Sequence, residues 1–456
     1  MGDTIAAIST GMGNSGISII RMCGKNAFDI ARKVFRNKKD KKIEDEKTHY
    51  ILHGNIVDEE EIIDEVLLLI MKAPHTFTGE DTIEIDCHGG IFVTKKILEV
   101  LFKNGAQPAE PGEFTKRAFL NGKMDLSRAE AVMDIIQSKS EYALKSSISQ
   151  LEGVLQKKIE GIREKVLYHT AFIESAIDDP EHVSVDGYAE VLQNSMEELL
   201  QEIQILLKKA KEGKVIKEGI NVAIIGKPNA GKSSLMNALI GEERAIVTDI
   251  AGTTRDILEE SILLNGFLLN IVDTAGIRNS DNVVEKIGVE RAKKATEKAD
   301  LILYVVDGSK VLEKEDYEII EIIKEKKTIV LLNKSDLNIV IEKNELETYF
   351  KKNIILISVI ENKGIEELER QIEELFFQGE ISFNDEVYIT NERHKNLLEK
   401  TQKSLQKVLQ SIKNHMPEDF YSIDLMDAYE YLGTIIGKKV GEDLIDEIFG
   451  KFCMGK

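Results

Sequence analysis

Gly226, Gly231, Lys232 and Ser233 stand at the spacing G-x-x-x-x-G-K-[ST]. Glycines at these places let backbone N–H groups curl toward a phosphate chain, and a helix N-terminus just beyond adds partial positive charge. A lysine at the position of Lys232 reaches β- and γ-phosphate oxygens, and a hydroxyl at Ser233 holds magnesium. Asn229, Ala230 and Ser234 complete the phosphate-contacting stretch. Such a motif has meaning only between a strand and a helix. Here the apolar run 221–225 precedes it as a buried strand, and 234–239 follows as the start of a helix.

Four further segments come in chain order, each at the end of an expected strand. Asp273, Thr274, Ala275 and Gly276 form Asp-x-x-Gly. There the aspartate holds magnesium through water and the glycine N–H meets the γ-phosphate. Asn333, Lys334 and Asp336 form Asn-Lys-x-Asp. Asp336 is placed to accept two hydrogen bonds from guanine N–H groups, which adenine does not offer, and an unpaired buried carboxylate is costly. Residues 252–256 make a switch candidate with Thr254 as a magnesium ligand, and Ser358-Val359 sits where a base-contacting turn belongs. Together these pieces specify a GTP-binding domain. Where many GTPases carry a glutamine after Asp-x-x-Gly to orient the attacking water, this chain has Ile277. Glu285, at the start of an expected helix 285–299, is a carboxylate that could act through a second water, and it also has the look of an ordinary first-turn charge. No intrinsic arginine finger is evident, and a monovalent cation could supply the positive charge.

The elements that position these residues follow from hydrophobic patterning. Strands are expected at 222–225, 257–264, 267–272, 301–306, 328–332 and 354–357, with Asn265-Gly266 as a hairpin turn. This is the alternation of a doubly wound sheet over 218–378. Residues 1–120 mix strands at 17–20, 66–71 and 82–87 with a helix at 92–102, an α+β or α/β pattern. Helical spacing covers 126–150, 156–177, 189–211, 391–413 and 425–452. The fold class is therefore multi-domain α/β plus α. An N-terminal domain (1–120) is followed by a helical domain in two blocks (121–217 and 379–456), with the GTPase domain (218–378) inserted between them.

Composition bounds the partners. The 456 residues predict several domains, and 42% hydrophobic residues suffice for their cores. A net charge of −20 argues against coating by nucleic acid, so any RNA contact is local or shared with a more basic partner. Lys208, Lys209, Lys211, Lys214 and Lys217 form a candidate basic series, which reads first as a solvated helix face. No apolar run has membrane length, no signal peptide is apparent, and Ala6 does not fit a myristoylation signal. The three cysteines, Cys23, Cys87 and Cys453, form no disulfide framework or zinc spacing. A cytoplasmic protein without membrane association is expected.

The stretches 226–234, 248–256 and 273–278 resemble the tRNA-modification GTPase MnmE (TrmE) family. So do Pro111-Gly-Glu-Phe-Thr-Lys-Arg-Ala-Phe-Leu-Asn-Gly-Lys123 and the tail Phe452-Cys-Met-Gly-Lys456, and these two are the specific ones. The resemblance implies a potassium ion beside the nucleotide, held by Asn229, Thr248, Ile250 and Thr253. It implies magnesium at Ser233 and Thr254, and Glu285 as the catalytic glutamate. It implies a homodimer whose GTPase domains close face to face on GTP. The first domain would bind a tetrahydrofolate derivative (5-formyl or methylene) through residues matching Arg21, Glu84, Lys123 and Lys456. Cys453 would be a positional or binding residue ahead of a catalytic thiol. The partners implied are tRNA and the flavin-dependent MnmG. The rival reading, a ribosome-assembly GTPase, would share the nucleotide motifs but need neither the folate residues nor the tail.

Overall fold

Buried and less buried residues alternate along most of Ile17–Cys23 (β2) and of Thr82–His88 (β6). In the computed structural model the two strands pair antiparallel, with Ile20 opposite Ile85 and Arg21 opposite Glu84. Ile20, Met22, Ile83 and Ile85 are buried in one core beneath Ala27–Val34 (α1) and Ile91–Lys103 (α2). Slipping the register by one residue would turn all four outward, at roughly 1.5–3 kcal/mol for each side chain. The core thus fixes Arg21 against Glu84 on the opposite face. The full sheet has seven strands. It adds Ile5–Ile8 (β1), Phe35–Asn37 (β3), Tyr50–Asp58 (β4), Glu61–Met71 (β5) and Gln107–Pro108 (β7), in the order β3-β4-β5-β6-β2-β1-β7.

The structure describes residues 3–37, 42–179, 181–182, 187–244, 260–264, 266–272, 293–350, 353–376 and 387–456. Thr248, Ile250, Thr253, Thr254, Asp273, Thr274, Ala275, Gly276, Ile277 and Glu285 lie outside them, as does Asn265. The chain divides into two compact units. One comprises Met1–Ile136, Gln150–Met196 and Lys400–Lys456, the other Gln137–Ser149 and Glu197–Glu399.

The helices are Glu113–Leu120 (α3), Leu126–Gln137 (α4), Glu141–Leu151 (α5), Val154–Asp178 (α6) and Tyr188–Glu218 (α7). After the second sheet come Glu392–Lys413, Asp419–Ile435 and Glu442–Phe449. Two expected long helices are each broken in two. The helix at 126–150 stops after Gln137, and Ser140 Oγ caps the next one by accepting the Ala143 N–H at 3.1 Å. The helix at 425–452 is interrupted near Gly437, whose φ is +80°. α7 runs past the expected end at 211, because Ile216 is buried against Phe267 and Tyr388. Its lysines are partly paired along the helix, Lys209 with Glu212 and Lys214 with Glu218. No helix of the described residues is long and apolar enough to cross a membrane.

One buried polar contact ties α6 to α7. His169 Nδ1 lies 2.7 Å from Tyr188 Oη and Nε2 lies 2.8 Å from Ser195 Oγ. Burial lowers the imidazole pKa from its ordinary 6.5. The folded state therefore binds fewer protons than the unfolded one just below that value, so stability falls as pH drops through this range. Melting temperature is expected to decline from pH 7 to pH 5, and a His169→Gln variant should flatten that slope. An unchanged slope in the variant would assign the decline to other groups.

The second unit carries a six-stranded sheet of Ile220–Ile225 (β8), Glu260–Leu264 (β9), Phe267–Ile271 (β10), Leu301–Asp307 (β11), Thr328–Asn333 (β12) and Ile354–Leu356 (β13). Its order is β13-β12-β11-β8-β10-β9. All neighbours are parallel except β10 and β9. Every residue of β12 is buried, as expected of a strand covered on both faces. On one face Lys232–Arg244 (α8) and Ile365–Phe376 (α11) pack through Leu235, Leu239, Leu368 and Ile372. On the other, Lys314–Ile323 (α9) and Lys343–Phe350 (α10) pack through Ile319, Ile323, Leu346 and Phe350. The sheet is doubly wound, and the carboxyl ends of β8, β11, β12 and β13 share one edge, where ligands bind in such folds.

Candidate nucleotide and folate sites

The phosphate loop joins β8 to α8. Lys232 is the first residue of α8, and its ammonium donates to the carbonyls of Gly226 and Lys227, each at 2.7 Å. Burial lowers its pKa from the ordinary lysine value. The ammonium has three protons, so two held by the loop leave one for a phosphate oxygen. Asn229 lies at φ +62°, and Ser233 and Ser234 are exposed at the start of α8.

The guanine loop follows β12 and meets the phosphate loop directly. Asn333 Nδ2 donates to the Ala230 carbonyl at 2.9 Å. A Cβ on Gly231, which has φ +104°, would come within 2.0 Å of that same nitrogen, so glycine is required twice over. Asn333 Oδ1 accepts the Val359 N–H at 3.4 Å, and Ser358 Oγ donates to Asp336 Oδ1 at 2.7 Å. Ser358 is fully buried. The turn after β13 therefore fixes the Asp336 side chain. Lys334 donates to Asp307 Oδ2 at 2.6 Å. Burial disfavours ionised Asp307, but the bonds from Lys334 and Ser309 outweigh it and hold its pKa below the ordinary carboxylate value.

These contacts bring Ala230, Gly231 and Lys232 together with Asn333, Asp336 and Ser358. They fit a guanine nucleotide: an ammonium and exposed hydroxyls at a helix start, with an anchored carboxylate beside them. Asp307 was missed by sequence reasoning, whose expected strand stopped at residue 306, whereas β11 runs through Asp307. Of the residues implied for magnesium and potassium, Ser233 and Asn229 sit on this loop. Thr248, Ile250, Thr253 and Thr254 fall outside the described residues, as do Asp273, Thr274, Ala275, Gly276 and Glu285.

A second constellation lies on the polar face of the seven-stranded sheet. Arg21 Nε is 2.6 Å from Glu84 Oε1, and the guanidinium carbon lies 5.6 Å from the Phe114 ring centroid. The tail arrives at the same place. Arg21 Nη1 donates to the Gly455 carbonyl at 3.4 Å, and Ser9 Oγ donates to it at 3.0 Å. The Phe114 N–H donates to the Lys456 carbonyl, and the Gly112 N–H donates to that of Cys453. Gly455 has φ +81°, and a Cβ there would come within 2.3 Å of the Ile8 carbonyl oxygen. The Cys453 side chain is exposed. Lys123 engages a neighbouring loop, donating to the Pro74 carbonyl at 2.9 Å.

Asp86, on the same face of β6 as Glu84, has a buried Oδ1 without a hydrogen-bond partner among the described residues. Burial, then the charge of Glu84, raises its pKa. An acceptor in need of a donor, a paired guanidinium and carboxylate, and an aromatic ring suit a planar heterocycle with N–H groups and an anionic tail, as in a folate. Sequence reasoning read Asp86 only as part of the alternating strand 82–87.

Residues 4–123 match the family model described as the GTP-binding protein TrmE N-terminus, and residues 126–453 match the MnmE helical domain. Three proteins described as tRNA modification GTPase MnmE are similar along the whole chain. The one from Lachnoclostridium phytofermentans is 55% identical over 455 residues, 100% of this chain and 99% of that protein. The one from Acetivibrio thermocellus is 50% identical over 457 residues, and the one from Clostridioides difficile 49% over 455, with the same coverage of both chains. Among solved structures, the G domain of the T. maritima FeoB iron transporter is 30% identical, covering 34% of this chain and 97% of that one with a TM-score of 0.26.

Proposed function

The chain belongs to the family of tRNA modification GTPases named MnmE, and from that premise we propose a potassium-dependent GTP hydrolase acting on the wobble uridine of certain tRNAs. With the flavin-dependent partner MnmG it adds a carboxymethylaminomethyl group at carbon 5 of that base, in the cytoplasm and as a homodimer. The observation that supports the GTPase half most directly is the bond from Asn333 to the Ala230 carbonyl, which ties base recognition to the phosphate loop. The ribosome-assembly alternative lacks support, because the match over 4–123 is to a TrmE N-terminus.

Within the site, Asp336 accepts the guanine N–H groups while Ser358 holds its rotamer. Lys232 and the loop N–H groups bind the β- and γ-phosphates. Glu285 orients the attacking water through a second water, a task the apolar Ile277 cannot perform. Ser233 and Thr254 would hold magnesium, which neutralises phosphate charge. Asn229, Thr248, Ile250 and Thr253 would hold potassium, which supplies the positive charge that an arginine finger provides elsewhere. Arg21, Glu84, Lys123 and Lys456 would hold the tetrahydrofolate derivative, the source of the one-carbon unit. GTP hydrolysis drives a conformational change and not the carbon chemistry.

Steady-state GTP hydrolysis in potassium chloride and in sodium chloride at equal ionic strength tests this reading. Hydrolysis is expected to be at least ~10-fold faster in potassium, since one well-placed charge is worth that or more. Asn229→Ala should abolish the difference, and Glu285→Ala should lower the rate in both salts. Equal rates of the unaltered protein in the two salts would remove the cation from the mechanism and redirect the search to Arg255 and Arg278.

A further inference from the structure

The connection from β11 to α9 touches both nucleotide loops. At its start, Asp307 stands opposite Asn333 in the β11–β12 register. Asp307 Oδ1 accepts the N–H and hydroxyl of Ser309, at 3.1 and 2.6 Å, and Oδ2 accepts Lys334 Nζ. The Gly308 N–H donates to the Asn333 carbonyl at 2.9 Å. At its end, Glu313 and Asp316 cap α9 reciprocally, so the helix start is complete without outside help. Even so, Lys227 of the phosphate loop inserts its ammonium there, 2.8 Å from Glu313 Oε2 and 2.6 Å from Asp316 Oδ2. Asp316 is buried, and its other oxygen accepts Tyr304 Oη at 3.1 Å. The Lys227 carbonyl is in turn one of the two acceptors that hold Lys232.

We propose that residues 307–316 form a positioning clamp that fixes the separation of the guanine and phosphate contacts, with Asp307 seating Lys334 and Asp316 seating the phosphate loop through Lys227. Neither aspartate touches the nucleotide. Asp307 acts on base affinity, because its partner belongs to the guanine loop. Lys227 acts on turnover, because its carbonyl sets the place of Lys232. The clamp rests on reading 226–234 and 333–336 as nucleotide loops, and guanine-nucleotide binding by the unaltered protein tests that reading by itself.

The full chain and its variants would be compared by fluorescent GDP binding, steady-state GTP hydrolysis and thermal melting. Asp307→Asn, which keeps shape and loses charge, should weaken GDP about tenfold and leave kcat within about twofold. Ser309→Ala should act in the same direction more weakly, and serves if Asp307→Asn does not fold. Lys227→Met paired with Asp316→Asn avoids a lone buried charge, and should lower kcat about tenfold with KM within about threefold. Lys227→Arg should restore most of the turnover. If the unaltered protein binds GDP and the variants match it in Kd, KM and kcat, the clamp is wrong. It is equally wrong if they shift only the melting temperature, or if a rise in Kd and a fall in kcat come together in every variant. If the unaltered protein does not bind GDP, the nucleotide reading itself fails and the clamp with it.

Discussion

Exchanging Asp336 for asparagine is expected to weaken GTP binding by at least ~100-fold and to improve binding of xanthosine triphosphate. Guanine offers two N–H donors to the carboxylate, and each hydrogen bond to a charged group is worth about 1.5–3 kcal/mol. The amide keeps one acceptor and turns its other end into a donor, which faces the guanine amino group and repels it. Xanthine carries a carbonyl there and accepts from the amide. Ser358 Oγ can still donate to the amide oxygen, so the turn after β13 is kept and the exchange acts on the base alone. Competition by unlabelled GTP and xanthosine triphosphate against a fluorescent nucleotide measures both changes. A variant that loses both nucleotides equally has lost the loop and not the selectivity.

Lys232→Met is expected to reduce kcat by roughly 10²–10³, the usual cost of removing a donor aimed at developing charge. The fold should survive it. The ammonium is buried with two carbonyl partners, and burial lowers its pKa, so the unliganded protein gains little from the charge. Activity and melting temperature should therefore separate, with the first collapsing and the second nearly unmoved. Lys232→Arg should not rescue, because the carbonyl cage at 2.7 Å suits a compact ammonium and not a planar fork. A loss of melting temperature in step with activity would mean that Lys232 holds the loop together and does no chemistry.

The strands of the nucleotide sheet were legible because parallel strands covered on both faces read as unbroken apolar runs, as β11 and β12 do. The helical blocks were legible in position but not in their breaks. Apolar spacing continues through Ser138–Ser140 and through Gly437, and only the Ser140 cap and the left-handed glycine show where each helix stops. Asn333 and Asp336 announced themselves by spacing. Asp307 did not, because its role depends on which strand lies beside β11. Arg21 and Glu84 lie 63 positions apart, and spacing alone does not join them. Their pairing follows from the sheet register, and only the family resemblance of the sequence pointed to them where composition and periodicity were silent.

The anchorage of the tail also sets an order of events. The bond from Ser9 to Gly455 joins residues 446 positions apart. During synthesis the seven-stranded sheet has all its strands once residue 108 has emerged, and domains fold as their residues appear. The polar face around Arg21 must then wait, with its donors facing water, until the tail that carries Gly455 has been translated. A chain cut short by premature termination would carry a folded sheet and, if cut late enough, a folded nucleotide unit, yet no finished Arg21 site. Closing so long a loop adds little entropic cost over a moderately long one, since that cost grows only with the logarithm of length. The Arg21 face thus gains its Gly455 contact only in copies whose synthesis has reached the tail.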